Sequence, residues 1–392
     1  MKRSTNRILT THVGSLPRPD DLLALNSAIY SEREYDHEAY QRSMSGAVVA
    51  IVRKQAEIGI DVVNDGEFGK ASRGPTDYGP WVSYAWRRLS GWEFGAPGLM
   101  PSLARRRDWQ RFPGFYAELN QPSLTSSNPS SGRPQFFTHP VVYEGQEALQ
   151  RDIANFKAAL ARINVEEGFI TSVAPGSFGR GQNTYYRSDE EFLYALADAL
   201  KTEYQAIVGA GFVLQLDDPG LSDGWDSLNP ALSVEEYQKY AALRIEAVNY
   251  ALKGIPEDRV RYHICWGSWH GPHTTDIPLR DIVHLLLSVH AGAYSVEAAN
   301  ARHEHEWRVW QDVRLPEGKI LIPGVVSHAT NVVEHPDLVA ERIVRFATLV
   351  GRENVIAGTD CGLGGRVHAE VAWAKLEALV EGARLASLEL WP

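Results

Sequence analysis

The chain has 392 residues, of which 44% are apolar and 22% charged, as is usual for a globular enzyme of one large domain or two ordinary ones. A formal net charge of −10 argues against a nucleic-acid partner, and no apolar run of about 18 residues is present that could span a membrane. Two cysteines are too few for a disulfide framework, and no apolar stretch follows the basic start, so we expect a cytoplasmic protein without a signal peptide.

Taken in chain order, short apolar segments that end in small or polar residues alternate with helical patterns. The predicted strands cover residues 8–15, 60–67, 169–176, 212–219, 260–266, 293–300, 319–326 and 354–360. The predicted helices cover residues 36–59, 146–167, 188–209, 233–252, 278–290, 336–350 and 367–386, with Ser188 and Ser233 as N-caps. Strands that alternate with helices favour a parallel sheet, and eight such units predict an α/β fold of the (β/α)8 TIM barrel type.

Residues 68–145, which follow the second predicted strand, have no simple helical or strand period. The segment is rich in Trp, Pro, Arg and Gly, and a structureless loop of that length is unusual inside a compact domain. We therefore predict a single barrel domain over residues 1–392, with 68–145 as an insertion that acts as a lid or as a contact in a homo-oligomer. Its three consecutive arginines, 105–107, are expected to form a solvated face or ion pairs.

Polar residues capable of chemistry are concentrated at or just after the C-terminal ends of the predicted strands. These residues are His12, Ser15, Asp65, Glu67, Asp217, Asp218, His263, Cys265, Glu297, His328 and Cys361. Polar core residues scattered along the strands would not show this bias. In a TIM barrel the C-terminal end carries the active site, so we expect the active site there.

His263 and Cys265 end the fifth predicted strand as a His-x-Cys pair. Residues i and i+2 of a strand point to the same face, so the imidazole and the thiol aim at one point. Imidazole nitrogen and thiolate sulfur are ligands that zinc prefers. The other cysteine of the chain, Cys361, ends a second apolar strand directly before a glycine. The pattern indicates a metal site; buried apolar cysteines and a disulfide are the alternatives.

The sequence resembles the C-terminal catalytic barrel of cobalamin-independent methionine synthase and its shorter relatives. The resemblance covers most of the chain and rests on the His-x-Cys pair, on Ser-Val-Glu-Ala at 295–298 and on Asp-Cys-Gly-Leu at 360–363. It implies Zn²⁺ as the cofactor, with His263, Cys265, Glu297 and Cys361 as its ligands.

The same resemblance implies which residues hold the polar end of homocysteine. A Val-Gly-Ser segment matches an Ile-Gly-Ser segment of the methionine synthases, and a Gly-Glu pair and an aspartate match their residues after strands two and four. The substrate-binding residues implied in this way are Val13, Gly14, Ser15, Glu67 and Asp217.

The chemistry of such a site follows from its ligands. Zinc with two thiolates, one imidazole and one carboxylate is not redox active, and it can exchange its weakest ligand, Glu297, for an incoming thiol. Zinc deprotonates a coordinating thiol, and the thiolate is the nucleophile. We therefore predict zinc-dependent alkyl transfer, in the first place methyl transfer, from a small-molecule donor to a thiol such as homocysteine through a zinc-bound thiolate. His328, which aligns with a family histidine implied as proton donor, is the predicted catalytic residue.

Differences from the synthases leave other reactions open. We expect no room for the synthases' additional N-terminal barrel, and the tryptophan that stacks the pteridine has no counterpart in residues 177–186. The sequence after His-x-Cys is closer to the single-barrel branch, which includes epoxyalkane:coenzyme M transferases. The alternative is therefore addition of a thiol to an epoxide, or the reverse C–S lysis. A sulfonate thiol would need nearby cations, for which Arg18 and Arg180 are candidates.

Two further alternatives concern the metal itself. A metal-free barrel decarboxylase like the uroporphyrinogen enzyme would keep Cys265 without a metal. A barrel with a purely structural zinc ion would have no exchangeable ligand. For His12 two interpretations remain: the residue takes part in the active site, or it only supports the site structurally.

Overall fold

The computed structural model of the chain describes residues 1–30, 33–72, 74, 77, 80–95, 106–119, 135–178, 182–228 and 230–392. Two arginines named above, Arg105 and Arg180, lie outside these residues. The strands of the described part are β1 Leu9–Thr10, β2 Val62–Val63, β3 Leu89–Phe94, β4 Gln135–Tyr143, β5 Glu167–Val173, β6 Gln182–Asn183, β7 Val213–Asp217, β8 Val260–His263, β9 Ala293–Val296, β10 Ile320–Val326 and β11 Ile356–Thr359.

Eight of these strands form one parallel sheet in the order β1-β11-β10-β9-β8-β7-β5-β2. Asp61 links the two end strands, because its N–H donates to Thr10 O (3.2 Å) and its carboxylate accepts from the N–H of Thr10 (2.8 Å). The sheet is therefore a nearly closed barrel, and the predicted (β/α)8 fold is confirmed.

Helices follow the barrel strands, and further helices lie in the segment between β2 and β5. Their bounds are Asp20–Tyr30, His37–Ile58, Pro80–Arg88, Arg107–Arg111, Pro113–Leu119, Gln146–Leu160, Pro175–Phe178, Asp189–Gly209, Gly224–Ser227, Val234–Ala251, Leu279–Leu287, Val309–Asp312, Pro336–Val350 and Ala369–Leu390. Ser188 accepts from the N–H of Glu191, and Ser233 forms a capping box with Glu236, so both predicted N-caps are confirmed. No helix in the described part is long and apolar enough to cross a membrane.

Several predicted bounds were wrong. The helix predicted over 146–167 ends at Leu160, because Glu167 and Gly168 pair with β2 and so belong to the sheet. The first two strands are two residues long rather than eight, since the chain soon turns away from the sheet at glycines with positive φ, Gly14 (143°) and Gly66 (72°).

A buried arginine fills the middle of the barrel below the C-terminal ends. Arg261 of β8 is 2% exposed, and its guanidinium lies 3.7 Å from the centroid of the Phe169 ring. Its Nε donates to Gln215 Oε1 (2.6 Å) and its Nη1 to Thr11 Oγ1 (3.0 Å). Burial lowers the pKa of Arg261 to about 9. The layer that supports the active-site end is therefore fixed by hydrogen bonds rather than by apolar packing alone.

The segment between β2 and β5 forms elements of its own. Its strand β3 pairs antiparallel with its strand β4. β4 also pairs with β6, which follows β5 in the chain, so the three strands make a second sheet. Tyr84 and Tyr143 of this segment both donate to the buried carboxylate of Glu203 on a barrel helix. These bonds attach the segment to the side of the barrel.

Another part of the segment contacts the loop that follows β8. The carboxylate of Asp108 accepts from the N–H groups of His273 (3.1 Å) and Thr274 (2.9 Å). Arg106 forms a buried ion pair with Asp223, which confirms the ion-pair interpretation for that arginine. The segment therefore reaches the C-terminal end of the barrel.

Candidate metal centre and substrate site

The ends of β8 and β11 bring His263, Cys265 and Cys361 together. One ring nitrogen and the two Sγ atoms lie within 4.8 Å of one another. His263 and Cys265 are buried, and Cys361 is half-buried. Ligand atoms at roughly 2.0–2.3 Å from a tetrahedral zinc ion lie a few ångströms apart, so this spacing suits zinc.

One hydrogen bond orients the imidazole of His263. Its Nδ1 lies 3.1 Å from Ser295 Oγ, whereas its Nε2 is buried without a hydrogen-bond partner. A buried, unpartnered ring nitrogen is costly unless a ligand satisfies it. Metal-binding histidines commonly use the second ring nitrogen in this way, which fixes the tautomer and the ring. Ser295 lies on β9, two residues before Glu297, a spacing from which the sequence could have identified it.

Substitution of Ser295 by alanine is expected to weaken zinc binding by about 10–100-fold, because the ring of His263 loses the contact that orients it. Competition with a chromophoric chelator would measure this affinity. Ser288→Ala, in which the lost hydroxyl bonds only to Leu285 O on a barrel helix, is the matched control and should bind zinc as the wild type does. Equal zinc affinity in both variants would contradict the proposed role of Ser295.

The two thiols interact directly with each other. A hydrogen bond between them, together with burial, raises the pKa of Cys265 well above its ordinary value. The same hydrogen bond and the nearby imidazole of His263 lower the pKa of Cys361 well below its ordinary value. One sulfur of the pair is therefore disposed to be a thiolate, which is the form that binds a metal.

Glu297 lies beside this cluster but outside the set of atoms within 4.8 Å. Its Oε1 accepts from the N–H of Trp266 (3.2 Å), and its Oε2 accepts from Asn300 Nδ2 (2.7 Å). Burial raises the pKa of Glu297 well above its ordinary value, and Asp360 and Cys361 add to the rise. The structure thus brings three of the four implied ligands together. The fourth, Glu297, lies at the edge of the cluster, where it accepts hydrogen bonds from uncharged donors.

These residues fit a zinc ion. The cluster offers one nitrogen that lacks a hydrogen-bond partner and two sulfurs, and it accumulates buried acidic groups that a divalent cation would neutralise. Asp360, directly before Cys361, belongs to this surplus, because burial raises its pKa to about 6. Its Oδ1 accepts from the N–H groups of Ala298 (2.7 Å) and Ala299 (2.9 Å), so it braces the turn that carries Glu297.

His328 follows β10 and faces the same cluster. The residue is 2% exposed, and its Nδ1 is buried without a hydrogen-bond partner. Burial lowers the pKa of His328 to about 4, although Cys361 acts in the opposite direction. The imidazole is therefore neutral at pH 7, and a proton that it takes up is readily released again.

The loop after β1 packs against both the metal centre and Glu67. A Cβ atom on Gly362, next to Cys361, would lie 2.8 Å from the Cβ of Ser15, and one on Gly14 would lie 2.7 Å from Glu67 Oε1. Val13 O accepts a hydrogen bond from Gln215. The implied substrate-binding loop and the metal centre are consequently neighbours.

Glu67 has a strained backbone and a fully engaged carboxylate oxygen. Its φ of 58° is unusual for a residue with a side chain and costs about 1–3 kcal/mol. Its Oε1 accepts from Lys70 Nζ (2.8 Å) and from Thr171 Oγ1 (2.5 Å). Burial alone would raise the pKa of Glu67, but Lys70 outweighs it and the pKa is lowered. Arg18 holds the turn by donating to Glu67 O (2.8 Å).

Asp217 at the end of β7 takes part in a second set of contacts. Its Oδ1 accepts from Gln215 Nε2 (2.7 Å), and its Oδ2 accepts from the indole N–H of Trp81 (3.3 Å). Burial raises the pKa of Asp217 to about 6, with Lys70 opposing the rise. Trp81 lies in the segment between β2 and β5, so that segment contributes a side chain to the site.

His12 supports the loop rather than the metal. Its Nδ1 accepts from the N–H of Gly14 (3.1 Å), and its Nε2 contacts Gln55 Oε1 (2.8 Å). Both ring nitrogens are therefore occupied by the chain itself.

Most of the chain matches one known family. Residues 8–122 and 123–385 match the profile described as "Cobalamin-independent synthase, Catalytic domain". The chain belongs to this family. The resemblance inferred from the motifs is thereby confirmed.

Two relatives of this chain differ in their named activity. The methionine synthase of Saccharolobus solfataricus is 24% identical over 97% of this chain and 95% of its own length. The 2-hydroxypropyl-CoM lyase of Xanthobacter autotrophicus is 23% identical over 98% of this chain and 96% of its own length. Among solved structures, a B12-independent methionine synthase from Shewanella sp. W3-18-1 in complex with selenomethionine has the same fold, with a TM-score of 0.70 and 18% identity over 98% of this chain and 99% of that one.

Proposed function

We propose that the protein is a zinc-dependent transferase that moves an alkyl group, in the first place a methyl group, from a small-molecule donor to a thiol. The observation that carries this proposal is the cluster of His263, Cys265 and Cys361 at the C-terminal end of the barrel, with its unpartnered ring nitrogen. Glu297 completes the proposed ligand set. Homocysteine is the thiol that the names of the relatives suggest.

Each residue has a definite part in the proposed reaction. When bound, zinc would lower the pKa of an incoming thiol, so that its thiolate is available as the nucleophile. Glu297 would be the exchangeable ligand of a bound zinc ion, since two neutral donors also hold its carboxylate. Ser15, Glu67 and Asp217 face the polar end of the thiol, as the family resemblance implies.

The proton can be accounted for by His328. The new bond joins sulfur to the alkyl carbon, the bond from that carbon to its leaving atom breaks, and the leaving atom needs a proton. The thiol would lose its proton to solvent on binding, and His328 would pass a proton from solvent to the leaving atom. An imidazole whose pKa is about 4 gives up that proton readily.

A second reaction fits the same site. In thiol addition to an epoxide, sulfur attacks a ring carbon, the C–O bond opens and the oxygen takes the proton. The relative from Xanthobacter autotrophicus, which is named 2-hydroxypropyl-CoM lyase, favours this candidate. The cation Lys70 beside Glu67 favours it as well, because a sulfonate thiol needs positive charge nearby.

We further propose that residues 68–145 act as a lid on a single barrel domain. Trp81 donates to Asp217, and Asp108 binds the loop after β8, so the segment contacts the active-site end at two points. A cover over the site would exclude water from a reactive thiolate.

Calorimetric titration of the zinc-loaded protein with homocysteine, coenzyme M and glutathione tests the proposed function. Two buffers of different ionisation enthalpy give the number of protons released. We expect one of the thiols to bind with release of about one proton, because zinc converts a coordinating thiol into a thiolate. The zinc-free protein is the control and should release none.

The same zinc-loaded protein can be used to identify the second substrate. A methyl donor or a short epoxide is supplied with the thiol that binds, and the loss of free thiol is followed. Zinc-loaded protein that binds none of the thiols, or binds one without proton release, would contradict the proposed mechanism.

A further inference from the structure

We propose that His303 is a positioning residue for Glu297, because it fixes both hydrogen-bond donors of the Glu297 carboxylate. The donors are the backbone N–H of Trp266 and the side-chain amide of Asn300. The inference rests on the proposed function, since it concerns a ligand of the proposed metal centre. His303 caps the short helical turn Glu304–Arg308 and stands outside the cluster of ligand atoms.

The imidazole of His303 stacks on the indole of Trp266, the residue directly after Cys265. The two ring centroids are 4.0 Å apart, and the ring planes are inclined by 23°. Both side chains are buried. The indole N–H donates to Ile277 O (2.7 Å), so the indole is held at its edge as well as on its face. The stack therefore fixes Trp266, whose backbone N–H donates to Glu297 Oε1 (3.2 Å).

The second donor of Glu297 is tied to the same turn. Asn300 Nδ2 donates to Glu297 Oε2 (2.7 Å). The oxygen of that amide, Asn300 Oδ1, accepts from the backbone N–H groups of Arg302 (3.0 Å) and His303 (3.0 Å). Because these bonds occupy the amide oxygen, the amide nitrogen is directed at Glu297. The backbone of His303 thus supports one donor of the carboxylate, and its ring supports the other.

Two carboxylates hold the ring of His303 in place. Its Nδ1 lies 2.9 Å from Glu306 Oε2, and its Nε2 lies 3.1 Å from Asp276 Oδ2. A neutral imidazole has one N–H and could donate to only one of these oxygens, so the arrangement favours the imidazolium. Burial would lower the pKa of His303, but the hydrogen bonds with Asp276 and Glu306 raise it to about 9. Charge-assisted hydrogen bonds of this kind are stronger than neutral ones.

The two carboxylates are fixed in turn by the chain after β8. Glu306 Oε1 accepts from the N–H of Leu279 (2.7 Å). Asp276 Oδ2 also lies 3.0 Å from His273 Nδ1. The ring of His303 is therefore anchored to the segment that follows Trp266, and the stack cannot slide without breaking these bonds.

The charge of His303 also acts on Glu297. Both N–H groups of the ring are directed at Asp276 and Glu306, so the imidazolium influences Glu297 from a distance. Burial raises the pKa of Glu297, and the nearby imidazolium opposes that rise. The carboxylate is thus held in position by uncharged donors beside a positive charge that favours its ionised form, which is the form that binds a metal.

Zinc affinities in a double-mutant cycle test this inference without relying on catalysis. His303→Phe retains an aromatic ring on Trp266 but lacks the hydrogen bonds that anchor the ring. We expect it to weaken zinc binding by about tenfold or more, because residues that orient a metal ligand contribute about that much. In a Glu297→Gln background, the same change should alter zinc affinity by less than about twofold, since the ligand through which it acts is lost. Competition with a chromophoric chelator measures the four affinities.

Cobalt(II) in place of zinc gives a second readout, because its visible spectrum depends on its ligands and their geometry. We expect the ligand-field bands of His303→Phe to shift towards those of Glu297→Gln. The thiolate-to-cobalt absorption should keep its intensity, whereas a loop that was merely loosened would also displace Cys265. His305→Phe is the matched control, since His305 is an exposed histidine of the same turn, and it should leave zinc affinity and cobalt spectrum unchanged.

The outcomes separate this inference from the proposed function. Equal weakening by His303→Phe in both backgrounds, or no weakening in the wild-type background, overturns the role of His303 alone. Unchanged zinc affinity in Glu297→Gln also overturns that role and leaves the zinc centre in place. A wild-type protein that binds no zinc overturns the proposed function and the inference with it.

A charge-balanced variant decides the matter if His303→Phe does not fold. His303→Phe/Glu306→Gln removes one charge of each sign and leaves His273 and Asp276 as a pair. We expect this double variant to weaken zinc binding by about tenfold or more in the wild-type background and by less than about twofold in the Glu297→Gln background. Equal weakening in the two backgrounds would again overturn the role of His303.

Discussion

Cys361→Ser is expected to bind zinc at least about 100-fold more weakly than the wild type, and to transfer alkyl groups at a rate reduced at least as much. Loss of a hydrogen bond that orients a metal ligand already weakens metal binding by about 10–100-fold, and here a ligand itself is lost. A serine hydroxyl does not ionise at neutral pH, so the variant also lacks the thiolate that Cys265 and His263 stabilise at this position. Zinc content after dialysis and the rate of thiol consumption would measure both effects.

Removal of zinc from the wild type is the companion experiment. A chelator should abolish transfer, and added zinc should restore it in the wild type but not in Cys361→Ser. Cys265→Ser should behave as Cys361→Ser does, because both sulfurs belong to the same cluster. A Cys361→Ser protein that retains one zinc ion and full activity would remove the basis of the proposed mechanism.

Lys375→Met is expected to lower the free energy of unfolding by about 3–5 kcal/mol, because it leaves a buried carboxylate unpaired. Lys375, on the last helix, is fully buried, and its Nζ lies 2.9 Å from Glu334 Oε2. The other oxygen of Glu334 accepts from the N–H of Ser327 (2.8 Å), directly before His328. The pair therefore holds the loop that carries the proposed catalytic histidine. Urea unfolding with linear extrapolation would measure the loss.

Arg42→Met is the matched control for Lys375→Met. Arg42 pairs with Glu38 at 3.3 Å on the surface, with both side chains largely exposed, so its loss should cost less than about 0.5 kcal/mol. The double variant Glu334→Gln/Lys375→Met removes both charges and should recover part of the stability. If Lys375→Met lowers the free energy of unfolding by less than about 1 kcal/mol, the prediction is wrong. Glu334 would then not remain buried, charged and unpaired in that variant.

The barrel and the core of the metal centre could be predicted because both depend on local patterns. Eight apolar segments alternate with helices, and that order determines a parallel sheet. His263 and Cys265 face one way because residues two apart in a strand do so. Cys361 could be placed with them because it ends another strand of the same sheet. Ser295 follows from the same rule, although only Glu297 was recognised on that strand.

Other contacts of the site depend on side chains that no local pattern brings together. Lys70 occupies Glu67 from within a segment interpreted as an insertion without period. Trp81 reaches Asp217 across 136 positions of sequence. The predicted bounds of β1 and β2 were also too long, although polar residues follow both strands directly: Thr11 and His12 after β1, and Asn64 and Asp65 after β2.

The short strands leave one side of the barrel with less strand pairing than the other. β8 and β11, which carry His263, Cys265 and Cys361, run within the continuous sheet. β1 and β2, which carry the loop with Ser15 and the turn with Glu67, are two residues each and meet through Asp61 instead of a ladder. The sulfur of a substrate would thus bind beside the longer strands, and the polar end of the substrate would bind beside the two short ones. Substitutions that change which polar end is preferred can therefore accumulate in evolution while the residues of the metal centre stay the same.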